Sequence, residues 1–374
     1  MNDGLHLPSA SSPRVPRSAP FLMLGLCALA ACSHAGVSPA VTPPPRTRAA
    51  AVGDFVDVVA HPAEKRVDVL VGGRPFTAYI YPASLKKPVL YPLRAATGTI
   101  VTRGYPLEPR AGERVDHPHH AGLWFNYGNV NGLDFWNNST AIAPADTAKM
   151  GTILHRSVDH VTSGAGEGTL DVTTEWVDSH GTPLLRETAR FIFRATADLR
   201  MIDRVTTLTA LAEPILFKDD KEGLIGLRVA RGLEMPSRTA EKFTDASGHA
   251  TSVAVLDNTG VTGNYRSSEG LEGDAVWGTR GRWATLSGQV NGEPVRIAIL
   301  DHPSNPGFPT YWHARGYGLF AANPLGQKIL SSGKEELNMR LAPGQSTTFR
   351  HRVLIMSGPT VTQQMEPYYQ AFSH

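Results

Sequence analysis

The chain has 374 residues, of which 41% are hydrophobic and 19% charged, and its formal net charge is +2. That length holds one large β domain or two ordinary ones, and so small a charge, without any Lys/Arg run, argues against a nucleic-acid partner. The 36 Gly and 28 Pro suit a turn-rich chain better than a helical bundle.

Residues 1–31 read as a lipoprotein signal peptide. Arg14 and Arg17 precede an apolar run over residues 21–31, too short for a permanent membrane span, which ends Leu29-Ala30-Ala31-Cys32. Small residues just before a cysteine at this place resemble the lipobox of bacterial lipoproteins, in which the cysteine is acylated and becomes the mature N-terminus. The plainer alternative is an ordinary secretory signal, but the position of Cys32 at the end of the run favours lipidation. Ser33 stands where an aspartate would signal inner-membrane retention, so the expected destination is the outer membrane, with the lipid as the only membrane contact. Cys27 and Cys32 are the only cysteines, leaving the mature domain no thiol for a disulfide, a metal or a nucleophile. Residues 32–53, rich in Pro and Ala, form an expected tether reaching roughly 3 Å per residue.

From residue 54 to 374 the pattern is that of one β domain. Val67, Val69 and Val71 alternate before Gly72-Gly73, and residues 76–81 come next as the second arm of a hairpin. Leu170, Val172, Thr174 and Trp176 share one side of a strand pattern, opposite Asp171, Thr173 and Glu175. Ala189, Phe191 and Phe193 alternate with Arg190, Ile192 and Arg194, and similar runs occur at 201–208, 295–300 and 348–355. Only residues 360–372 look helical, interrupted by Pro367. Without alternating strands and long helices, the expectation is an all-β fold, a large antiparallel β-sandwich.

The stretch Asp116-His117-Pro118-His119-His120-Ala121-Gly122-Leu123-Trp124-Phe125 concentrates chemistry. Imidazoles carry protons or bind metals near neutral pH. Extended backbone would project His117 and His119 to one face and His120 to the other, with Pro118 confining the segment to an edge, bulge or loop. Lone histidines usually cap polar ends of a core; three in four residues point to a site. Trp124, Phe125, Phe135 and Trp136 flank Asn126, Asn129, Asn131 and Asp134, and aromatic faces beside amides and carboxylates suit carbohydrate. Asn131-Gly132 reads as a hairpin turn. The tetrad Asp219-Asp220-Lys221-Glu222 has the composition of a solvated turn, yet Lys221 or Glu222 could face a pocket, with Glu222 as the carboxylate that an acid–base reaction needs opposite the imidazole. A late cluster brings His302, Asn305, Trp312, His313, Arg315 and Asn323, with Arg315 suited either to a substrate carboxylate or to a structural ion pair. Phosphate-cradling Gly loops, HExxH and G-x-S-x-G are absent, and no nucleotide cofactor is expected.

With these residues in view, the chain resembles a bacterial family labelled PmoA-like, or methane oxygenase PmoA. The matching stretches are Tyr91-Pro92-Leu93-Arg94, Val101-Thr102-Arg103-Gly104, residues 116–120 and 122–125, and 130–136. Lys221-Glu222-Gly223, His302-Pro303, residues 312–315 and Tyr317-Gly318-Leu319-Phe320 complete them. Ala121 stands where many relatives of that family carry Arg or Lys. The label does not carry over as function, because a methane-oxidising subunit crosses the membrane with several helices and this chain has one apolar run. The resemblance implies an exported protein of polysaccharide-degrading bacteria and, by analogy, a galactose-mutarotase-like sandwich.

The resulting expectation is a lipoprotein acting on an oligosaccharide or glycoside by hydrolysis, elimination or epimerisation. His119 or His302 would be the acid and Glu222 the base, with His117, His120 and His313 completing the catalytic set. Trp124, Trp136 and Trp312 would stack the sugar. Arg94, Arg103, Asp116, Asn126, Asp134, Lys221, Asn305, Arg315 and Asn323 would hold hydroxyls or a uronate carboxylate. One alternative is a non-catalytic glycan-binding lipoprotein. Another is a divalent metal centre built from His117, His119, His302 and His313.

Overall fold

The computed structural model describes residues 54–374, so the expected signal peptide, the lipidation site Cys32 and the tether at 32–53 lie outside the described residues. Period-two patterning accounts for most of the architecture, because a strand with one apolar face is stable only against a second such surface. Ten strands form one sheet, in the order Arg280–Gly281, Thr310–Arg315, Leu319–Asn323, Gly223–Arg228, Leu123–Tyr127, Val89–Leu90, Arg74–Ile80, Arg66–Val71, Phe55–His61 and Gly164–Ala165. Eight form a second, in the order Asn264–Ser267, Trp283–Val290, Glu293–Asp301, Ser346–Ser357, Leu199–Ala210, Pro183–Ala195, Glu167–Val177 and Thr152–Thr162. Neighbouring strands run antiparallel in both. The fold is all-β, a large antiparallel sandwich, and no helix of the described residues is long and apolar enough to cross a membrane.

The alternations read from the sequence place the expected side chains between the sheets. Leu170, Val172, Trp176, Phe191 and Phe193 are buried there. Phe125 of the larger sheet meets Trp176 and Phe349 of the smaller, and Phe76 meets Phe193 edge-on. This apolar interior also encloses an ion pair. Arg204 donates to Glu187 at 2.6 Å and its guanidinium lies 4.8 Å from the Phe125 ring. Glu187 also accepts from the Trp176 indole at 2.8 Å. Two ions are tolerable at this depth because each is held by several partners.

Two local expectations are corrected. Pro367 opens the helix Glu366–Ser373 rather than interrupting one, since the first helical turn has no use for its missing N–H. That helix covers the outer face of the eight-stranded sheet through Met365 and Tyr369. The expected solvated turn at 219–222 is anchored instead: the buried Asp219 carboxylate accepts from the backbone N–H groups of Lys328, Leu337 and Asn338. The Asn131-Gly132 turn is as expected, both residues at positive φ and Val130 bridged to Leu133.

The buried pair yields a stability test. Glu187→Ala leaves Arg204 charged and unpaired in the core and should cost about 3–5 kcal/mol. Replacing both, Glu187→Leu with Arg204→Met, should cost less than the single change. Urea unfolding of the three proteins decides it; a double variant less stable than Glu187→Ala would show that the pair stabilises the fold outright.

Candidate functional site

The outward face of the ten-stranded sheet, opposite the sandwich core, carries the chemistry. Across four neighbouring strands His313, Ala321, Gly226 and Trp124 lie in one row. The two small residues in the middle let the large ones lean over them. A Cβ on Gly226 would stand 2.5 Å from the Trp124 ring and 3.0 Å from that of Trp136. Trp136 itself is placed by Asp134, whose carboxylate accepts from the backbone N–H groups of Trp136 and Asn137 at 2.9 Å.

The histidine segment is a turn, not a strand. His117 has φ of +41°, and the N–H of His120 returns to the His117 carbonyl at 2.9 Å. Gly122 comes next at φ +60°, where a Cβ would stand only 2.3 Å from the Leu90 carbonyl oxygen. All three imidazoles therefore gather on one side, against the expectation of two faces. His117 and His120 stack in parallel at 4.8 Å, and His119 meets His120 edge-on at 4.3 Å. Arg103, 1% exposed, organises this turn by donating to the carbonyls of Arg114, Asp116, His117 and His120 and to the Asp116 carboxylate. Arg228, wholly buried, donates to the same Asp116 oxygen at 2.6 Å and to His120 Nδ1 at 3.3 Å. A guanidinium can only donate, so Nδ1 accepts and the His120 proton sits on Nε2, which is buried without a protein partner.

The electrostatics are set by this arrangement. Burial by itself would raise the Asp116 carboxyl, but Arg228, the hydrogen bond from His117 and Arg103 outweigh it and hold the group well below the usual carboxylate range. Burial lowers His119 to about 2, with Lys87 and His117 adding to the effect, and puts His120 far below its ordinary value. Burial likewise lowers His313 to about 3, reinforced by Lys221 and Arg315. These three rings are neutral at physiological pH. Burial raises the Glu222 carboxyl against the opposing hydrogen bond from Lys221. Glu222 Oε2 stands 3.7 Å from His313 Nδ1, which has no hydrogen-bond partner.

Planar groups close a circuit around this pair. Trp277 meets His313 at 4.6 Å, His313 meets Trp136, Trp136 meets His120, His120 meets His117, and His117 stacks on Tyr317 at 5.0 Å. Arg315 completes the loop, 5.9 Å from Tyr317 and 4.7 Å from Trp277. Of these, His117 is exposed, and Trp277, Arg315, Tyr317 and the neighbouring Glu222 are half-buried, so the circuit opens to solvent on their side.

The structure brings together His117, His120, Asp116, Arg103, Trp124, Trp136, Lys221, Glu222, His313 and Arg315, several in roles other than those expected. Trp124 and Trp136 are fully buried and offer no face to a sugar; they are the packing beneath the site. Trp312 points into the sandwich, as alternation with His313 requires. Arg103 and Asp116 are spent on one another and on the turn. Asp134 positions backbone, Asn126 donates to the Phe135 carbonyl, and Asn323 donates to that of Asp220. His119 turns toward a cavity of 240 Å³ that it lines with Lys87, Asn138 and Thr140. His302 lies beyond the other sheet, bonded to Ser304 and against Phe372 of the covering helix, so it cannot be the acid of this site. Asn305 pins Asp301 and the Arg350 backbone, and Arg94 donates to the Gly98 carbonyl away from the circuit. The four histidines expected as a metal set do not converge, and among the described residues no three His, Cys, Asp or Glu groups are placed to share an ion.

Four participants escaped the sequence reading. Arg228 had a signal, a lone charge within the apolar run 224–229. Tyr317 lay in a stretch already singled out but not assigned. Lys87 donates to the His119 carbonyl at 2.8 Å, 5.4 Å above the Trp124 ring, and burial lowers it to about 7; neither it nor Trp277 had any local signal.

The chain belongs to DUF6807, a family of unknown function, which matches residues 66–370. No curated protein matches the sequence. Among solved structures it is similar to a galactose mutarotase-like protein from Clostridium acetobutylicum, at 11% identity over 82% of this chain and 99% of that one, with a TM-score of 0.38. It also aligns with the galactosidase domain of an α-galactosidase–sucrose kinase, at 10% identity over 82% of this chain and 42% of that one, TM-score 0.37. An α-galactosidase from Geobacillus stearothermophilus gives 10% identity over 81% of this chain and 41% of that one, TM-score 0.37. The chain thus spans less than half the length of either galactosidase.

Asp116→Asn tests the electrostatic centre. It removes the carboxylate that pairs with two buried guanidiniums and should cost about 3–5 kcal/mol at neutral pH. A carboxyl held down in the folded state stabilises fully above its unfolded pKa of about 3.9 and loses that contribution as pH falls below it. The stability gap between wild type and variant should therefore shrink between about pH 4 and pH 2; a gap constant through that range in urea titrations contradicts the assignment.

Proposed function

We propose that the protein is a carbohydrate-acting enzyme that moves protons with the Glu222–His313 pair. The observation that carries this reading is a carboxyl raised by burial, 3.7 Å from a neutral imidazole nitrogen that has no other partner, on an accessible face. Raised carboxyls and lowered imidazoles are what acid–base chemistry at neutral pH uses. Glu222 takes and returns the proton. His313, being neutral, acts as a hydrogen-bonding electrophile rather than as a cation. Trp277 and Tyr317, both half-buried, offer ring edges and faces for the C–H surface of a sugar, amid the polar groups that hydroxyls require.

The same geometry favours epimerisation or elimination over two-carboxylate glycoside hydrolysis. The other carboxylate near the circuit, Asp116, has one oxygen bound by two guanidiniums and the other by His117, so neither is free to serve as the nucleophile or base that such hydrolysis needs. Around the pair, His119, His120, Trp124, Trp136, Arg228 and His313 each carry a buried polar atom without a protein partner.

The test is product formation across a panel of oligosaccharides and glycosides. Glu222→Gln should lower turnover about 10²–10⁴-fold while sugar binding persists. In the wild type, activity should fall with acidification at a pH above the ordinary glutamate range of about 4.3, because protonated Glu222 cannot accept. Undiminished turnover by Glu222→Gln sinks the mechanism; binding with no product from the wild type points instead to a glycan-delivery protein.

A further inference from the structure

We infer that the site takes a sugar bearing a carboxylate, a uronate, and that Arg315 is the residue that holds the carboxylate. The inference rests on the carbohydrate reading above and adds a substrate class to it. Its basis is how the arginines around the circuit are used. Arg103 and Arg228 share Asp116, and Arg114 pairs with Glu234 and Glu241. Farther out, Arg231 pairs with Asp257 and Arg280 with Glu335. Arg315 alone among them has neither a carboxylate within 4.0 Å nor a guanidinium hydrogen bond among the described residues, although Glu222 is a near neighbour of the circuit.

Its position is set all the same. Arg315 lies on the strand Thr310–Arg315, two residues from His313 and on the same face. That offset is about 7 Å, comparable to the width of one sugar ring, from the imidazole of the acid–base pair. The guanidinium rests 4.7 Å from the Trp277 ring and 5.9 Å from that of Tyr317, contacts that hold it in place while leaving its N–H fork unused. A planar fork without an anion, held by aromatic rings, matches a carboxylate in a bidentate geometry that hydroxyls do not reproduce. The carboxylates nearby do not fill that role. Asp116 is bound to two other guanidiniums, and Glu222 pairs with Lys221 and His313.

Isothermal titration of the full chain with methyl glucuronide and methyl galacturonide, against methyl glucoside and methyl galactoside, and with the matching short oligosaccharides, tests this. Uronides should bind about ten- to hundredfold more tightly than their neutral counterparts. Arg315→Gln should abolish that preference in a protein that still unfolds cooperatively, with no more than a small fall in thermal midpoint from the lost ring contacts, while Arg315→Lys should keep part of it. Equal or tighter binding of the neutral sugars, or a preference that survives Arg315→Gln, overturns the uronate assignment and leaves the carbohydrate reading standing. If no sugar of either class binds, the carbohydrate reading itself fails and the assignment falls with it.

Discussion

Two buried guanidiniums and one carboxylate hold the candidate site in place. Arg228 stands on a strand of the ten-stranded sheet and Arg103 on the segment beside it. Asp116, at the start of the histidine turn, accepts from both through one oxygen and from His117 through the other. Removing so much charge from water is expensive unless every partner is in place, so this trio tolerates little variation in where the turn sits. Arg103 extends the constraint to four backbone carbonyls of residues 114–120. The turn would otherwise be a loop with a left-handed histidine at its head. The network converts it into a rigid platform whose rings can stack.

The platform works because the sheet beneath it is small where it must be. Gly226 and Ala321 lie between Trp124 and His313 in the cross-strand row, and bulk at either position would lift the indoles of Trp124 and Trp136 off the sheet. The indoles then raise the local apolarity that shifts the neighbouring titratable groups. Burial is the first cause of the lowered His313 and of the raised Glu222. Residues that a composition-based reading would assign to substrate stacking thus act one layer deeper, by setting the dielectric around the groups that meet solvent. The surfaces left for a ligand come from Trp277, Tyr317 and Arg315.

Period-two alternation is a local property, and it was readable. Val67, Val69 and Val71, or Leu170, Val172 and Trp176, announced both their strands and their buried faces. The density of histidine at 117–120 and the charge at 221–222 marked two of the segments that meet. Other assignments failed for identifiable reasons. His302 and His313 are close in sequence and similar in setting, yet the first comes just after a strand of the smaller sheet and the second lies on the larger, so the sandwich separates them. Trp312 and His313 are adjacent, so alternation sends one into the core and the other to the face, and composition alone cannot say which. Asn126, Asn305 and Asn323 looked like ligand-binding amides but satisfy carbonyls or carboxylates of the fold, a demand visible only once the backbone is in place.

The sequence by itself determined an all-β architecture, the strand faces, the absence of thiols from residues 33–374, and the segments in which polar chemistry is dense. Tertiary structure alone decided that residues 116–120, 222, 228, 277 and 313–317 form one site. It also decided that Glu222 and His313 stand face to face and that Arg315 is left without a partner. The physical reason is the strand order. Hydrophobic periodicity specifies a strand's own two faces, but the neighbouring strands 319–323, 223–228 and 123–127 are joined by long excursions through the other sheet. Their juxtaposition depends on the energy of the whole sandwich, to which no single stretch of sequence gives access.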